Sequence, residues 1–274
     1  LTTLKTVYEF EPTPKELSPQ QQSLILGAQA NVWTEYMADD ATVERMVLPR
    51  MSALAEVLWS EDKDWNSFTQ RLPVFSRYLE SCDYQISDAY KNVSANAIYD
   101  ADEYQLKVEL TTEINGLDIL YTDDGSEVNN QSRNYMGPIL VSGRKTITAT
   151  SVDKQSGSQF GTERLTVDNH LAVNKSIQFA HEPDTSTSPM KGQLLVNGML
   201  ATDRVFQYHE WAGFDEKGMD AVIDLERPVL LSAVDFGYEA GLHRSLYLPT
   251  YSRVLVSNDG ITWQLVAQAT EREI

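Results

Sequence analysis

The sequence predicts a multidomain α+β chain, because its parts differ in how their apolar residues are spaced. Between residues 43 and 79 the apolar residues recur at threes and fours, as on one face of a helix. From about residue 90 they alternate with polar residues, as in half-buried strands, and a polar Ser, Thr and Pro stretch then precedes a second strand-rich part. We therefore divide the chain into three domains and a linker: residues 1–88, 89–168, the linker 169–191, and 192–274.

Composition excludes several kinds of partner and site. The net charge of −18 argues against nucleic acid and against an anionic membrane surface, since no basic stripe is present to neutralise phosphates. No window approaches the eighteen or so apolar residues of a membrane span. The single cysteine, Cys82, rules out an internal disulfide framework, and no Cys and His cluster predicts a zinc site.

The first part is organised around residues 24–36. Residues 1–23 read as a loop because three prolines interrupt them, and the apolar run Leu24, Ile25 and Leu26 then predicts a buried strand. Small residues follow, leading to Trp33 and Glu35 at the strand end, where parallel barrels place their working groups. An aromatic ring beside a carboxylate suits a sugar, because the apolar face of the sugar stacks on the ring and its hydroxyls donate hydrogen bonds to the carboxylate. The alternative is a buried Trp beside a solvated Glu.

Two helices follow this segment. Asp39 or Asp40 caps the first, whose apolar stripe Pro49 kinks or restarts, because proline lacks the backbone donor. Asp64 caps the second. The predicted stripes are Val43, Met46, Val47, Met51, Leu54 and Leu58 in the first, and Phe68, Leu72, Phe75 and Leu79 in the second.

Residues 89–168 carry the period of strands. One alternation comprises Leu106, Val108 and Leu110, and another includes Ile147 and Ala149. Asp124 and Gly125 form a tight-turn signal between them. Asp123 and Asp124 could alternatively bind calcium, but no further acids follow at the spacing of a calcium loop, which favours the turn.

Two strings, GAQANVWTEY at 27–36 and VERMVLPRMSALAEVLW at 43–59, resemble the last strand and helix of a family 20 glycoside hydrolase, a β-N-acetylhexosaminidase. The resemblance implies the last βα unit of a (β/α)8 barrel plus a terminal helix. It also implies that Trp33 lines the terminal-sugar pocket and that Glu35 accepts hydrogen bonds from the sugar hydroxyls. The apolar stripes of the helices would normally pack on a complete barrel, of which this resemblance covers one βα unit. We therefore expect residues 1–88 to be poorly stable alone or to self-associate through the exposed stripes.

The catalytic pair of that family does not occur in the chain. The family's general acid and its acetamide-orienting Asp lie in a His-x-Gly-Gly-Asp-Glu motif, which the 274 residues lack. The two Asp-Glu pairs, Asp102 with Glu103 and Asp215 with Glu216, have polar neighbours and read as solvated surface. We therefore expect a carboxyl-terminal fragment of a substrate-assisted retaining enzyme, inactive alone.

Two further resemblances cover the rest of the chain. YTDDGSEV at 121–128 is similar to the immunoglobulin-like or fibronectin-like β-sandwich that follows the barrel in bacterial hexosaminidases, which implies a spacer. LPTYSRVLVSNDGITW at 248–263 resembles a discoidin-like β jelly roll, the coagulation-factor C-type fold, possibly incomplete here. In this module Tyr208 and His209 are the candidates for sugar binding, with core packing as the alternative, and a structural calcium ion stays open.

The sequence thus predicts a glycan partner with a terminal N-acetylhexosamine and no cofactor. The resemblance implies a periplasmic, cell-surface or secreted location, with which the single cysteine is compatible. The alternative function is a carbohydrate-binding and spacer assembly without catalysis.

Overall fold

A computed structural model describes residues 2–184, 191–202, 210–241 and 246–270. Helices occupy the first part and antiparallel strands the rest. The described helices are α1 Leu4–Tyr8, α2 Pro19–Gln22, α3 Asp40–Val47, α4 Arg50–Trp59 and α5 Trp65–Ser81, with 3-10 turns at Ala89–Lys91 and Lys191–Val196. The mixed α+β class predicted from the sequence is therefore confirmed.

The predicted helix starts are confirmed by their caps. The Asp39 carboxylate accepts the Thr42 N–H of α3 at 2.7 Å, and the Asp64 carboxylate accepts the Asn66 N–H of α5 at 3.0 Å. Pro49 separates α3 from α4, which restarts at the next residue. Short polar side chains thus satisfy backbone donors that the first turn of a helix leaves free.

The prediction of a loop over residues 1–23 is wrong at two places. Thr3 caps α1 by accepting the Thr6 N–H at 3.1 Å, and Ser18 forms a capping box with Gln21 at α2. Pro19 does not interrupt α2, because it occupies the first helical turn, where a missing N–H costs nothing.

The helices share one hydrophobic cluster, called the helical cluster below. Its buried members are Leu4, Tyr8, Ala53, Phe68, Leu72 and Tyr90. α4 buries Ala53 and Val57 instead of the predicted Met51, which is 57% exposed. The small side chain of Ala53 suits the α4 face that packs on the short helix α1.

The predicted buried strand at residues 24–26 is wrong. Residues 25–34 have no regular secondary structure, and Leu26 is 98% exposed. A buried parallel strand requires neighbouring strands to accept its N–H groups and cover its side chains. None of the described strands pairs with these residues, so the apolar run stays in solvent.

Residues 93–200 contain two antiparallel sheets that share a second hydrophobic cluster, the sheet cluster. One sheet has the order β1-β2-β5 and the other the order β4-β3-β6-β7-β9. The strands are β1 Val93–Asp100, β2 Gln105–Thr112, β3 Asp118–Thr122, β4 Arg133–Asn134, β5 Ile139–Leu140, β6 Arg144–Val152, β7 Gln159–Asp168 and β9 Met199–Leu200. Val108 of the first sheet and Ile147 of the second both lie in this cluster.

The predicted alternation is confirmed in β2 but is wrong in β6. Leu106, Val108 and Leu110 of β2 are buried, and the residues between them are partly exposed. In β6 the strand is buried continuously from residue 147 to residue 151, on both of its faces. Gly125 has φ +80° and the Asp124 carboxylate accepts the Ser126 N–H at 2.9 Å, as in the predicted turn.

The described residues of the predicted linker range include a strand and a core residue. Val173 lies in the sheet cluster, and β8 Ser176–Phe179 pairs with β10 Ala221–Asp224. β9 then adds to the edge of β7, so the chain returns to the second sheet after the linker range. The division into domains stays a prediction.

The described residues from 210 onward form little core. β10 pairs with β8, and β11 Tyr251–Val256 pairs with β12 Gln264–Thr270 as a separate two-stranded ribbon. None of the described residues 210–241 and 246–270 is buried. The jelly-roll, immunoglobulin-like and barrel identities stay predictions.

Candidate functional site

The Trp33 segment, residues 24–36, carries the predicted sugar-binding residues. Trp33 is 73% exposed, and Glu35, two residues further along the chain, is also exposed. A turn follows, in which the Met37 N–H donates to the Thr34 carbonyl at 3.0 Å. An aromatic face and a carboxylate acceptor are thus both open to a ligand in solution.

Neither of the helices on the two sides of this segment, α2 and α3, has a buried residue. The segment begins two residues after Gln22, the end of α2, and ends three residues before Asp39, the cap of α3. Its apolar residues Leu24, Leu26, Val32 and Tyr36 are exposed together with Trp33. Such a concentration of exposed apolar side chains is typical of a surface that another molecule or domain covers.

A charged network, which the sequence reasoning missed, joins α1, α4 and α5. Arg71 donates to both Glu56 carboxylate oxygens, at 2.7 and 2.8 Å, and the Tyr8 hydroxyl donates to the same carboxylate at 3.3 Å. Burial raises the pKa of Tyr8, and the Glu56 charge raises it further. The hydrogen bond that Arg71 donates to Glu56 raises the pKa of Arg71. The sequence feature that could have revealed this pair is a Glu and an Arg that each interrupt the apolar pattern of a helix.

This network lies at one side of an apolar groove between α4 and α5. The groove has a volume of about 410 Å³, and its lining residues include Leu48, Met51, Ala55, Phe68, Leu72 and Phe75. Both Glu56 oxygens accept hydrogen bonds from Arg71. The network therefore fixes the helices, and the groove offers an apolar surface with a charged edge.

A smaller polar depression of about 200 Å³ lies on the second sheet beside the Asp124 turn. Lys145 Nζ lies 2.7 Å from an Asp123 carboxylate oxygen, and Arg133 Nη1 lies 3.3 Å from the same oxygen. The hydrogen bond from Lys145 is the main cause that lowers the pKa of Asp123. Two cations thus neutralise this carboxylate, which makes Asp123 a structural residue of the turn.

The other residues that the sequence singled out are the two Asp-Glu pairs and the pair Tyr208 and His209. Asp102 with Glu103 and Asp215 with Glu216 are exposed, as the sequence predicted. Tyr208 and His209 lie outside the described residues. Within the described ranges, no group of three or more His, Cys, Asp and Glu side chains is placed to hold a metal ion. No helix in the described part of the chain combines the length and apolarity needed to cross a membrane.

Comparison with known proteins separates the chain into matched and unmatched parts. Residues 1–62 match the glycosyl hydrolase family 20 catalytic domain, and residues 99–162 match the chitobiase/beta-hexosaminidase C-terminal domain. The Trp33 segment lies within the first match, and strands β2 to β6 lie within the second.

Individual relatives match over short stretches. A beta-hexosaminidase of Porphyromonas gingivalis is 39% identical over 71 residues, which are 25% of this chain and 9% of the relative. A beta-N-acetylhexosaminidase of Cellulomonas fimi is 38% identical over 71 residues, 25% of this chain and 14% of the relative. The alpha subunit of beta-hexosaminidase from Bos taurus is 43% identical over 56 residues, 20% of this chain and 10% of the relative.

The matched part of the chain thus spans about a tenth of the length of these relatives. Two independent matches, to a catalytic domain and to a C-terminal domain of the same class of enzyme, agree with the order predicted from the sequence. Residues 1–62 are therefore similar to part of the family 20 glycosyl hydrolase catalytic domain and residues 99–162 to the chitobiase/beta-hexosaminidase C-terminal domain, which confirms the resemblance drawn from the sequence.

Proposed function

We propose that these residues are the carboxyl-terminal part of a β-N-acetylhexosaminidase that removes terminal β-linked N-acetylglucosamine or N-acetylgalactosamine from glycans. The observation that carries the proposal is the match of residues 1–62 to the family 20 catalytic domain. The hexosaminidase names of the relatives support it.

In this proposal Trp33 and Glu35 form part of the terminal-sugar subsite. The exposed indole stacks on the apolar face of the pyranose, and the Glu35 carboxylate accepts hydrogen bonds from its hydroxyls. Binding energy at this end of the sugar holds the reacting carbon in position. The segment's exposure supports this role, because the remainder of a sugar pocket would cover it.

The chemistry itself is substrate-assisted and retaining. The substrate's acetamide oxygen attacks the anomeric carbon, an Asp orients that acetamide, and a neighbouring Glu protonates the leaving oxygen. The motif that carries this Asp and Glu does not occur in the 274 residues. These residues alone then bind the sugar weakly and do not cleave it.

An assay on a chromogenic β-N-acetylglucosaminide tests the absence of catalysis. The 274-residue polypeptide should show no turnover, and a Glu35→Ala preparation run in parallel identifies any contaminating host enzyme. Turnover that Glu35→Ala abolishes would mean that a catalytic acid is present within these residues, against the proposal.

A second assay tests the subsite in a longer polypeptide that contains the whole family 20 domain. Glu35→Ala should cost about 1–3 kcal/mol in kcat/KM, because sugar hydroxyls lose their acceptor. Glu16→Ala is the matched control, since Glu16 is exposed in the stretch that precedes the same segment. An unchanged kcat/KM in Glu35→Ala would remove Glu35 from the subsite.

The second candidate function is a carbohydrate-binding and spacer assembly. Residues 89–168 form an immunoglobulin-like spacer in this proposal, and residues 192–274 form a discoidin-like module. Tyr247, Tyr251 and Trp263 are exposed aromatics in the described part of that module, which supports sugar stacking. Titration with galactose and N-acetylhexosamines, followed by tryptophan fluorescence, tests this function, and a flat titration would reject it.

We also propose a periplasmic, cell-surface or secreted location, where such glycans are found. Fractionation of cells that produce the protein tests the location.

We propose in addition that the chain self-associates through the exposed helix stripes. Sedimentation of the 274-residue chain tests this, and a monomer at all concentrations would reject it.

A further inference from the structure

The outer edge of β7 is covered by residues from beyond the predicted linker, residues 192–200, called the docking segment below. Its strand β9, Met199–Leu200, pairs with β7 on the side opposite β6. The Asp168 N–H, at the end of β7, donates to the Gly198 carbonyl at 2.8 Å. An edge strand without a neighbour leaves its N–H and C=O groups unpaired, so the docking segment supplies the partner that this end of β7 needs.

The docking segment also buries apolar side chains. Leu194 and Val196 are buried, whereas Leu195 between them is exposed. Met199 packs against the sheet cluster. The Val196 carbonyl accepts the Asn174 N–H at 2.8 Å. The segment thus has one covered side, and removal of these apolar side chains from water stabilises its docking.

Two glycines allow the docking segment to approach its neighbours closely. A Cβ at Gly198 would lie 2.7 Å from Leu106 Cδ2 and 3.2 Å from Val173 Cγ2, and both of these residues belong to the sheet cluster. A Cβ at Gly192 would overlap the ring of Phe179 in β8. A larger residue at either position would displace the segment or the side chain that it meets, so the fit depends on glycine at both.

The docking segment is joined on its other side to the described residues that follow it. Thr202 lies two residues after β9, and its N–H and hydroxyl both donate to one Glu210 carboxylate oxygen, at 2.6 and 2.7 Å. The Trp211 indole N–H donates to the Thr202 carbonyl at 3.1 Å. Contacts that hold the docking segment on the sheets therefore also hold the beginning of the last part of the chain.

We propose that Leu106, Val173 and the outer edge of β7 form a binding site for a short apolar segment with glycine at two positions, occupied here by the docking segment of the same chain. The segment binds through its own contacts, so the last part of the chain is docked on the sheets and is not carried by a linker alone. This docking requires no sugar, and it extends the sheet domain to residue 200, beyond the predicted boundary at residue 168.

Cleavage of the folded chain tests whether these contacts hold without the covalent connection. Residues 185–190, which lie outside the described ranges, are replaced by the recognition sequence of a site-specific protease, and the full chain is cleaved after it has folded. The two fragments should co-elute in size-exclusion chromatography at the mass of the intact chain. Fragments that elute separately at micromolar concentration would overturn the proposal.

Gly198→Ala tests whether the fragments associate through the proposed site. The dissociation constant of the fragments, measured by sedimentation, should rise about tenfold, because the added methyl group meets Leu106 and Val173. Gly260→Ala is the matched control, since Gly260 also has a left-handed backbone but a Cβ there meets nothing within 4 Å. It should leave the constant unchanged. An unchanged constant in Gly198→Ala would assign the association to the β8–β10 pair and overturn the proposed site.

Gly192→Ala is a second variant, which carries the test if Gly198→Ala does not fold. Neither Gly192 nor its control Gly237 has a left-handed backbone, so neither substitution adds that strain. Gly192→Ala should raise the dissociation constant, because its methyl group meets the Phe179 ring, whereas a Cβ at Gly237 meets nothing within 4 Å. Equal constants in Gly192→Ala and Gly237→Ala would overturn the proposal.

NMR relaxation of the uncleaved, unsubstituted chain measures the docking directly, because it reports motion on the timescale of tumbling. The Val222 amide of β10 should have the same rotational correlation time as the Ile147 amide of β6. A shorter time at Val222 would show a part that moves independently on a tether, and would overturn the proposal. These measurements use no sugar, so their failure is separate from failure of the proposed function.

Discussion

The two sheets of residues 93–200 and the β11–β12 ribbon have similar strand-like sequences but very different burial. β2 alternates between buried and partly exposed residues, and Leu106 is completely buried. β12 is exposed along almost its whole length, and Leu265 is 50% exposed. The difference teaches that a strand pattern predicts which side chains can be buried, while burial itself requires a second layer to face them.

The largest expected difference between the two regions is in amide exchange. β6 is buried and is paired with a strand on each side, so hydrogen exchange at its central amides requires unfolding of the core that the two sheets share. Among the described strands β12 pairs with β11 alone, and within the described ranges none of its residues is buried. Exchange measured by NMR should be about 1000-fold or more slower at Ile147 than at Val266. Similar protection at both would show that the ribbon is covered in solution.

Truncation of one leucine side chain in each region should lower the free energy of unfolding by amounts that differ by several kcal/mol. Leu106→Ala leaves a cavity between the sheets and should cost about 2–5 kcal/mol. Leu265→Ala removes the same atoms from a half-exposed site and should cost less than about 1 kcal/mol. Urea unfolding of the 274-residue chain measures both. Equal losses would contradict the assignment of the core to the two sheets.

A matched pair of glycines sharpens the comparison. Both have left-handed backbones, with φ +77° at Gly198 and +69° at Gly260. A Cβ at Gly198 would lie 2.7 Å from Leu106 Cδ2, whereas a Cβ at Gly260 meets nothing within 4 Å. Gly198→Ala should therefore cost about 2–4 kcal/mol, from backbone strain plus overpacking. Gly260→Ala should cost about 1–2 kcal/mol, from strain alone. Thermal unfolding checks the order.

A further expected effect, confined to high pH, is a loss of stability. Burial first, and then Asp88 and Glu80, raise the pKa of Tyr90 from 10.0 to about 12. Because the folded-state pKa is the higher one, this contribution is complete below about pH 10 and is lost as the pH rises through 12. Stability should fall by on the order of 2 kcal/mol over this interval.

Tyr90→Phe should remove that fall, since it keeps the ring and deletes the ionisable hydroxyl. Tyr247→Phe, at a tyrosine that is 71% exposed, is the control from the less covered region and should leave the fall in place. Unfolding free energies measured from pH 9 to pH 12 check the pair. A fall that persists in Tyr90→Phe would assign it to other groups.

Local signals in the sequence predicted much of the fold. The caps at Asp39 and Asp64, the restart at Pro49 and the alternation in β2 all depend on residues close together in the chain, and all were confirmed. Helix α1 escaped prediction because part of its stabilisation comes from Glu113, 108 positions away. The strand at residues 24–26 was predicted from its apolar run, yet a strand needs neighbours that no local pattern supplies.

The sequence by itself determined the helix starts, the strand periods and the resemblance to hexosaminidases, because these depend on side chains next to one another and on strings of identical residues. Only the tertiary structure decided which apolar residues are buried, that Arg71 and Glu56 join three helices, and that the β2–β3 turn contacts α1 and α5. Those outcomes depend on contacts between residues far apart in the chain, where shape and burial decide which groups meet.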